Sequence, residues 1–447
     1  MNQVNLKEKI LGSMGWNSIS IASKFCSEYF IRIGLAFFLA PDDFGIFAVA
    51  VSLISILQVL VNFGFQPSLI RRTRDFYTKD LTQISYAVML RNAVFVIIGF
   101  ATISYHSFHL IFESRHVLEA VWFLLPTLLF VPRNVIGTAQ LSRQMKFNCI
   151  SKAEISSHLV FSLLAIILVV NNKGYLALVL AHVFGQLTRY VLLKFYSKQK
   201  PALNYAFIKY KSRKMSDEWN LFSHHAFWFF GSNIVAVIRS RTDLLMVGAL
   251  VSNAAAGIYS MAYALTDSVQ MQLASIVNKT MFPVYSSLKN DRLGYERAYF
   301  KVSMWVSLLL VPAYTLLYIF SEILVESFFS SQWKELYLYL QLLSISSIVY
   351  AFGGYPAELI NALGRSDLAF RISFFNYLLV CIPSLIILIG WLGAIGAPIA
   401  VIIHYTFLRV SHLIVLNVVF KIRIFDILKP MIPAMIISVL LFLSFSS

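Results

Sequence analysis

Thirteen apolar blocks, each about long enough to cross a bilayer, occupy nearly the whole of this 447-residue chain. A helix needs roughly 20 apolar residues to cross the hydrocarbon core. Solid runs of this length favour helices over the short alternating segments of a membrane barrel. The chain is therefore predicted to be an all-α, polytopic transmembrane bundle. The blocks lie near 14–38, 44–70, 82–104, 117–141, 153–171, 174–195, 221–250, 254–288, 298–320, 334–363, 368–391, 394–420 and 428–445.

Composition excludes an ordinary soluble protein. Only 13% of the residues are charged and 58% are hydrophobic, whereas soluble domains carry about 25% charged residues. The net charge of +16 would suggest a nucleic-acid partner in a soluble protein. Here the basic residues cluster in alternate connectors, as the positive-inside rule describes. We therefore expect membrane lipids and no nucleic acid as partners, with the N-terminus in the cytoplasm.

The long basic connector at 196–220 divides the chain into two lobes of six blocks each. The predicted lobes are 1–195 and 221–420, and 421–447 forms an additional transmembrane helix. The halves resemble each other weakly, since Gly45-Ile46-Phe47 opens the second block and Gly257-Ile258-Tyr259 opens the eighth. Transporters are commonly built from such repeats, with the substrate site between them. A central cavity between the lobes is therefore expected.

The first block carries three charges on one helical face. Lys24, Glu28 and Arg32 are spaced four residues apart, which places them above one another on a helix. A charged face inside a membrane looks at protein or at a water-filled cavity. Two interpretations stay open: a self-neutralising ladder that locks helix packing, or the cationic wall of a cavity.

The seventh block carries Arg239, Arg241 and Asp243. On an ideal helix Arg239 and Asp243 share a face and can pair, while Arg241 points roughly the opposite way. Further charges stand inside other blocks, and they are Arg91, Asp267 and Lys279. Residues near the inner block ends, namely Arg189, Glu358 and Arg409, are expected to snorkel toward the interface.

Cations outnumber acids among these interior positions, which favours an anionic cargo. Arginine matches phosphate oxygens with a planar fork, and lysine binds them as a point charge. A lipid with a pyrophosphate head fits both the charge and the solvent. The predicted substrate contacts are Lys24, Arg32 and Arg239, followed by Arg91, Arg241 and Lys279. The acids Glu28, Asp243 and Asp267 are predicted to neutralise these cations or to titrate during ion coupling.

Motifs for catalysis are absent from the sequence. It contains no GxxxxGK[ST], HExxH or GxSxG run. The three cysteines have neither metal-ligand nor disulfide spacing. We therefore expect no metal, no cofactor and no enzymatic activity.

Four groups of motifs resemble those of the polysaccharide flippases of the multidrug/oligosaccharidyl-lipid/polysaccharide exporter superfamily. Their order and spacing along the chain carry the resemblance. They are Leu39–Phe47 with Gly64 and Leu69–Arg71, Leu141–Phe147 with Glu154, Arg241–Asp243 with Gly248, Gly257–Ser260 and Phe282–Ser286, and Asn361–Asp367.

The resemblance implies a two-lobed bundle of 12 to 14 helices around a central cavity. Such proteins move undecaprenyl-pyrophosphate-linked oligosaccharides across the bacterial cytoplasmic membrane for lipopolysaccharide or exopolysaccharide synthesis. The lobes alternate in access, driven by an ion gradient, and polysaccharide polymerase and glycosyltransferases are the expected partners. Because the family usually has twelve or fourteen helices, the thirteen counted here leave the last helix open.

Two alternatives remain on sequence grounds. One is a multidrug-type exporter of the same superfamily, although such a protein would favour acidic cavity residues. The other is a membrane enzyme such as a polysaccharide polymerase or acyltransferase, although the short outer connectors argue against it. The sugar, the coupling ion and the oligomeric state are not encoded in recognisable motifs.

Overall fold

Helices make up every regular element in the described part of the chain, so the all-α prediction is confirmed. The computed structural model describes residues 31–66, 69, 78–107, 114–144, 146–197, 227, 230–231 and 233–446. The chain forms two compact units, which meet in sequence between Ala249 and Leu250.

Among the described residues of the first unit, six long or medium helices follow one another along the chain. They are α1 (Pro41–Asn62), α2 (Thr78–Ser107), α3 (Arg115–Leu124), α4 (Val131–Arg143), α5 (Phe147–Val170) and α6 (Tyr175–Tyr196). A 3₁₀ turn at Leu125–Phe130 joins α3 to α4, because Pro126 lacks the N–H that an α-helix would need there. Residues 233–239 are helical, and α7 (Thr242–Leu250) follows them.

The second unit contains the remaining helices, several of which are interrupted within one apolar block. They are α8 (Asn253–Leu265), α9 (Asp267–Ser287), α10 (Arg292–Phe328), α11 (Leu336–Ala351), α12 (Pro356–Ala362), α13 (Ser366–Asn376), α14 (Ile382–Leu392), α15 (Gly396–Val418), α16 (Ile424–Leu428) and α17 (Ile432–Ser446).

Local sequence explains where several helices begin and end. Pro41 occupies the first turn of α1, where its missing N–H costs no hydrogen bond. Ser252 caps α8 by accepting a hydrogen bond from the Ala255 N–H at 3.1 Å, and Asp291 caps α10 through the Gly294 N–H at 3.0 Å. Such caps satisfy backbone donors that a helix leaves unpaired at its start.

A π turn at Tyr377–Cys381 joins α13 to α14. Just before it, the Asn376 amide lies against α15 in an orientation that satisfies all its neighbours. Its nitrogen donates to His404 Nδ1 at 2.8 Å and to the His404 carbonyl at 3.2 Å, while its oxygen accepts from the Leu408 N–H at 3.0 Å. His404 is thus a hydrogen-bonded packing residue.

Each unit buries its own core and leaves apolar faces outward. In the first unit Leu141, Ile150 and Leu193 pack α4, α5 and α6 together. In the second unit Trp333 has no exposed surface. In contrast, the outward Trp391 side chain is 82% exposed. Large apolar side chains are exposed along both units. Contact with lipid would cover these outward faces.

Nine helical stretches among the described residues are long and apolar enough to cross a membrane. They correspond to ten of the predicted blocks, because the stretch Ser366–Val418 covers two of them. Block 14–38 lies mostly outside the described residues, and block 221–250 does so in part. Block 254–288 is divided at Thr266 into α8 and α9. The chain is a multi-pass membrane protein.

The predicted linker at 196–220 lies outside the described residues beyond Ser197. The two lobes bounded by it therefore stay a prediction, as does the cytoplasmic N-terminus.

Candidate functional site

A polar network joins the N-terminal parts of α1, α3 and α6 in the first unit. Asp43, at the start of α1, accepts a hydrogen bond from the Tyr175 N–H at 2.7 Å and so caps α6. The Tyr175 hydroxyl donates to Glu119 of α3 at 2.8 Å, and Arg115 pairs with Glu119 at 3.3 Å. A carboxylate near a helix N-terminus is stabilised by the helix dipole. The network therefore fixes the relative positions of α1, α3 and α6.

Gly174 lies directly before α6 and allows this contact. Its backbone has φ +53° and ψ −139°, a conformation that is almost restricted to glycine. A Cβ atom added there would lie 2.9 Å from Asp43 Oδ1. Both the backbone conformation and the close approach of Asp43 therefore require glycine.

Two arginines of the first unit, Arg189 and Arg133, bind other groups of the same unit. Arg189 of α6 pairs with Glu154 of α5 at 3.2 Å, so its interaction is a pairing between helices. Arg133 of α4 is only 4% exposed and donates to the Ser197 hydroxyl at 3.0 Å and the Lys194 carbonyl at 3.3 Å. Arg133 thus caps the end of α6, a role that hydropathy does not reveal.

Four predicted cations of the first unit lie in helical segments or at a helix break. Arg91 of α2 and Arg239 are exposed, and Arg32 and Arg241 are half-buried. Among the described residues, no hydrogen bond, ion pair or ring contact joins any of these four side chains to another group. Their guanidinium groups are therefore available for an anionic ligand. Lys24 and Glu28 lie outside the described residues.

The segment around Arg241 is not one continuous helix, so the ideal-helix argument is wrong there. Helix 233–239 ends at a turn formed by Ser240 and Arg241, and α7 begins at Thr242. The Ser240 hydroxyl donates to the Val237 carbonyl at 3.0 Å, and the Thr242 hydroxyl donates to the Ile238 carbonyl at 2.7 Å. Such side-chain bonds compete with the helical backbone ladder. Asp243 is half-buried and accepts from the Leu244 N–H at 2.8 Å.

The second unit places a carboxylate in its interior at another helix break. Asp267 is 2% exposed and begins α9, directly after the interruption at Thr266. Its two carboxylate oxygens accept hydrogen bonds from the Ser347 and Tyr405 hydroxyls, each at 3.3 Å. The predicted interior position of Asp267 is thus observed, while its ion-coupling role stays a prediction. Lys279 lies on α9, but its side chain lies outside the described part.

Arg409 lies in the same interior, so the prediction that it snorkels is wrong. The side chain is 6% exposed, and its guanidinium carbon lies 4.0 Å from the centroid of the Tyr350 ring. The Tyr350 ring also contacts Tyr405, whose ring centroid is 4.9 Å from that of Tyr350. A cation over an aromatic face gains electrostatic attraction in place of solvation. The position of Arg409 within its predicted block indicates its depth in the membrane but not the direction in which its side chain points.

Within the described ranges, no group of three or more His, Cys, Asp or Glu residues could hold a metal ion. The polar sites are instead a set of available arginines in the first unit and a buried oxygen-rich cluster in the second.

A family model described as "Polysaccharide biosynthesis protein" matches residues 35–338. The chain belongs to this family. As a member of the polysaccharide biosynthesis protein family, it is 23% identical over 406 residues to an uncharacterized membrane protein in the cps region of Klebsiella pneumoniae, with 90% of this chain and 80% of that one covered. It is 20% identical to the lipopolysaccharide biosynthesis protein WzxC of Escherichia coli K12, with 88% and 78% covered.

Solved structures confirm the transporter fold of this family member. The inward closed conformation of the lipid II flippase MurJ superposes with a TM-score of 0.75 at 15% identity, covering 96% of this chain and 92% of MurJ. The family match over residues 35–338 and the similarity to WzxC, together with this shared fold, confirm the resemblance to polysaccharide flippases of the exporter superfamily.

The motifs that carried this resemblance occupy turns and caps. Asp43 caps α6, and Gly364 closes the α12–α13 turn at φ +89°. In the same turn, Arg365 donates to both carboxylate oxygens of Asp367, at 3.1 and 3.3 Å. Asp43, Gly364, Arg365 and Asp367 thus serve the scaffold.

Proposed function

We propose that the protein is a flippase that moves an undecaprenyl-pyrophosphate-linked oligosaccharide across the bacterial cytoplasmic membrane. Its family membership over residues 35–338 is the observation that carries this proposal. The related WzxC protein is described by its role in lipopolysaccharide biosynthesis, and the MurJ flippase shares the fold. The product would serve lipopolysaccharide or exopolysaccharide synthesis, in cooperation with glycosyltransferases and a polysaccharide polymerase.

The proposed pyrophosphate contacts are cations that lie within the predicted membrane blocks. Arg32, Arg91, Arg239 and Arg241 make no pairing with other described side chains, and Lys24 precedes Arg32 in the sequence. A guanidinium buried in a membrane without an acidic partner is costly, and a phosphate group would relieve that cost by accepting its hydrogen bonds. An anionic cargo would therefore explain the presence of these cations in apolar blocks.

Transport is proposed to proceed by alternating access of two lobes, with energy from an ion gradient. The acids Glu28, Asp243 and Asp267 are the proposed charge-balancing or ion-coupling groups. An ion can drive this exchange only through a difference in its affinity between the two states. A buried carboxylate provides such a difference when its solvation changes between the states.

An export assay tests the cargo contacts. In a strain lacking the native flippase, we expect Lys24→Ala and Arg32→Ala to abolish surface polysaccharide while protein abundance stays normal. Arg239→Lys should restore less export than wild type, because lysine cannot form the bidentate contact. Lys173→Ala is the matched control, since Lys173 is an exposed cation in a connector. Full export by both alanine variants at normal abundance would refute the phosphate contacts.

Reconstitution separates this function from the alternatives. Proteoliposomes containing the purified protein should translocate a labelled pyrophosphate-linked oligosaccharide lipid and leave a cationic dye where it is. Dye transport without lipid translocation would assign a drug exporter. Longer glycans formed from the lipid-linked repeat unit would assign a polymerase.

A further inference from the structure

We infer that the first unit contains a binding site for the phosphate group of an anionic phospholipid, centred on Arg133 where α4 packs against α2 and α6. Arg133 is only 4% exposed, and its Nη2 group caps the end of α6 through Ser197 and the Lys194 carbonyl. Its Nε and Nη1 groups are buried and have no hydrogen-bond partner among the described residues. Three of the five N–H donors of the guanidinium therefore remain for another acceptor.

The Arg133 guanidinium has no acidic partner in the part of the chain that the structure describes. The titratable groups that act on it electrostatically are the phenols of Tyr86 on α2 and Tyr190 on α6. On the neighbouring α5, the Glu154 carboxylate pairs with Arg189 instead. A charge within a membrane-spanning segment is costly unless it is paired, and buried donors need a partner such as an ion or ordered water. An anion satisfies both requirements at Arg133.

Further donors of the same kind surround this guanidinium. The Tyr86 and Tyr190 phenols also interact with each other, so that both lie near Arg133. Lys194 follows Tyr190 by one helical turn, and its Nζ lies 5.9 Å from the centroid of the Tyr190 ring. Guanidinium, ammonium and hydroxyl groups all donate to phosphate oxygens. Two cations and two phenols therefore favour a phosphate group that carries a net negative charge.

The outward surface of α6 beside these donors indicates that the phosphate belongs to a lipid. Phe184, Val191 and Phe195 are exposed, and their spacing of seven and four residues places them along one side of the helix. In a multi-pass membrane protein, acyl chains cover such a stripe. Lys194 is exposed at the C-terminal end of this stripe, where a lysine can reach the headgroup level of the bilayer. A phospholipid would thus place its tails on the stripe and its phosphate at Arg133.

This lipid site is distinct from the proposed cargo contacts and does not rest on the proposed transport function. It uses none of the four arginines assigned to the cargo. Because its donors come from α2, α4 and α6, a bound phosphate would join three helices of the first unit. Its expected effect is therefore on the stability of the folded protein, and this effect should depend on the headgroup of the added lipid.

Thermal unfolding of the purified full-length protein in neutral detergent tests the site. Added phosphatidylglycerol should raise Tm by several degrees in a saturable manner, since a ligand that binds only the folded state stabilises it. Phosphatidylcholine should raise Tm less, because its ammonium group repels the two cations. Arg133→Gln should lose most of the rise, and Tyr190→Phe and Lys194→Gln should need more phosphatidylglycerol for the same shift. Lys173→Gln, which removes an exposed cation from the connector before α6, should keep the full rise.

A direct measurement keeps the inference testable if the Arg133 variant does not fold. In native mass spectrometry, wild type and Lys173→Gln should retain a phosphatidylglycerol molecule at collision energies that remove it from Tyr86→Phe and Lys194→Gln. Equal retention by all four proteins, or equal rises in Tm with phosphatidylglycerol and phosphatidylcholine, would overturn the site. An equal rise with inorganic phosphate at the same ionic strength would assign a free phosphate and overturn the phospholipid. Export by a protein without a phosphatidylglycerol response would refute this site and leave the proposed function standing.

Discussion

Substitution of Gly174 by alanine tests the contact between α1 and α6 in the first unit. Its effect on the free energy of unfolding has two separate contributions. The first is the backbone conformation, φ +53° and ψ −139°, which costs a non-glycine residue about 1–3 kcal/mol. The second is contact, because the new Cβ would lie 2.9 Å from Asp43 Oδ1. An ordinary contact begins at 3.4 Å, so the carboxylate must retreat by about 0.5 Å, or the backbone must shift instead.

That retreat weakens the hydrogen bond by which Asp43 caps α6, which now measures 2.7 Å. Loss of a helix cap costs about 1 kcal/mol. We therefore expect Gly174→Ala to reduce the free energy of unfolding by about 2–4 kcal/mol. The chain offers a matched control in Gly393, which has φ +64° and ψ −145° and no atom within 4 Å of a Cβ position. Gly393→Ala should lose only the backbone term.

The assay is thermal unfolding of purified variants followed by tryptophan fluorescence. A difference of about 1 kcal/mol should place the Tm of Gly174→Ala roughly 2–4 °C below that of Gly393→Ala. In a double-mutant cycle, Asp43→Ala should cost less in the Gly174→Ala background than in wild type, because the cap is already weakened. Equal Tm values for the two glycine variants, or strict additivity in the cycle, would refute the reasoning.

Substitutions at three further positions test contacts in the two units by the same melting assay. Tyr350→Leu should destabilise by about 2 kcal/mol because Arg409 loses the ring beneath it, whereas Tyr350→Phe should be near neutral; equal losses would argue against the ring contact. Glu154→Gln should cost no more than about 1 kcal/mol, since the partly exposed pair with Arg189 is screened, and a larger loss would contradict that view. Trp333→Ala should cost about 3–5 kcal/mol by leaving a cavity; an unchanged Tm would show that the site is not tightly packed.

Hydropathy was sufficient to predict the helical architecture. Long apolar runs such as 298–320 and 394–420 correspond to α10 and α15, because a backbone in lipid must satisfy its own hydrogen bonds. The family motifs were also recognisable, as the match over 35–338 confirms. The structural roles of the motif residues could not be predicted from the sequence, because they depend on distant contacts. Asp43, for example, caps a helix 132 residues further along the chain.

Helix interruptions and side-chain direction could not be predicted in the same way. The helix breaks at Ser240 and Thr266 lie inside apolar blocks. Hydropathy averaged over a block does not reveal them, because each break involves a side-chain hydroxyl that donates to a nearby backbone carbonyl. Arg409 lies near a block end, which suggested an interfacial position, but packing of α11 against α15 turns it inward over Tyr350. The four available arginines remain predicted cargo contacts, because no bound ligand marks them.

The Asn376 amide has a consequence for how the second unit can move. Its three hydrogen bonds join the α13–α14 segment to the backbone of α15. Sliding α15 by one turn, about 5.4 Å, would separate the amide from the His404 carbonyl and the Leu408 N–H and strand it in an apolar interior. Abandoning a buried polar group costs about 1–3 kcal/mol. These segments are therefore expected to travel as a single rigid body, and any bending must occur elsewhere, as at the interrupted α8–α9 pair.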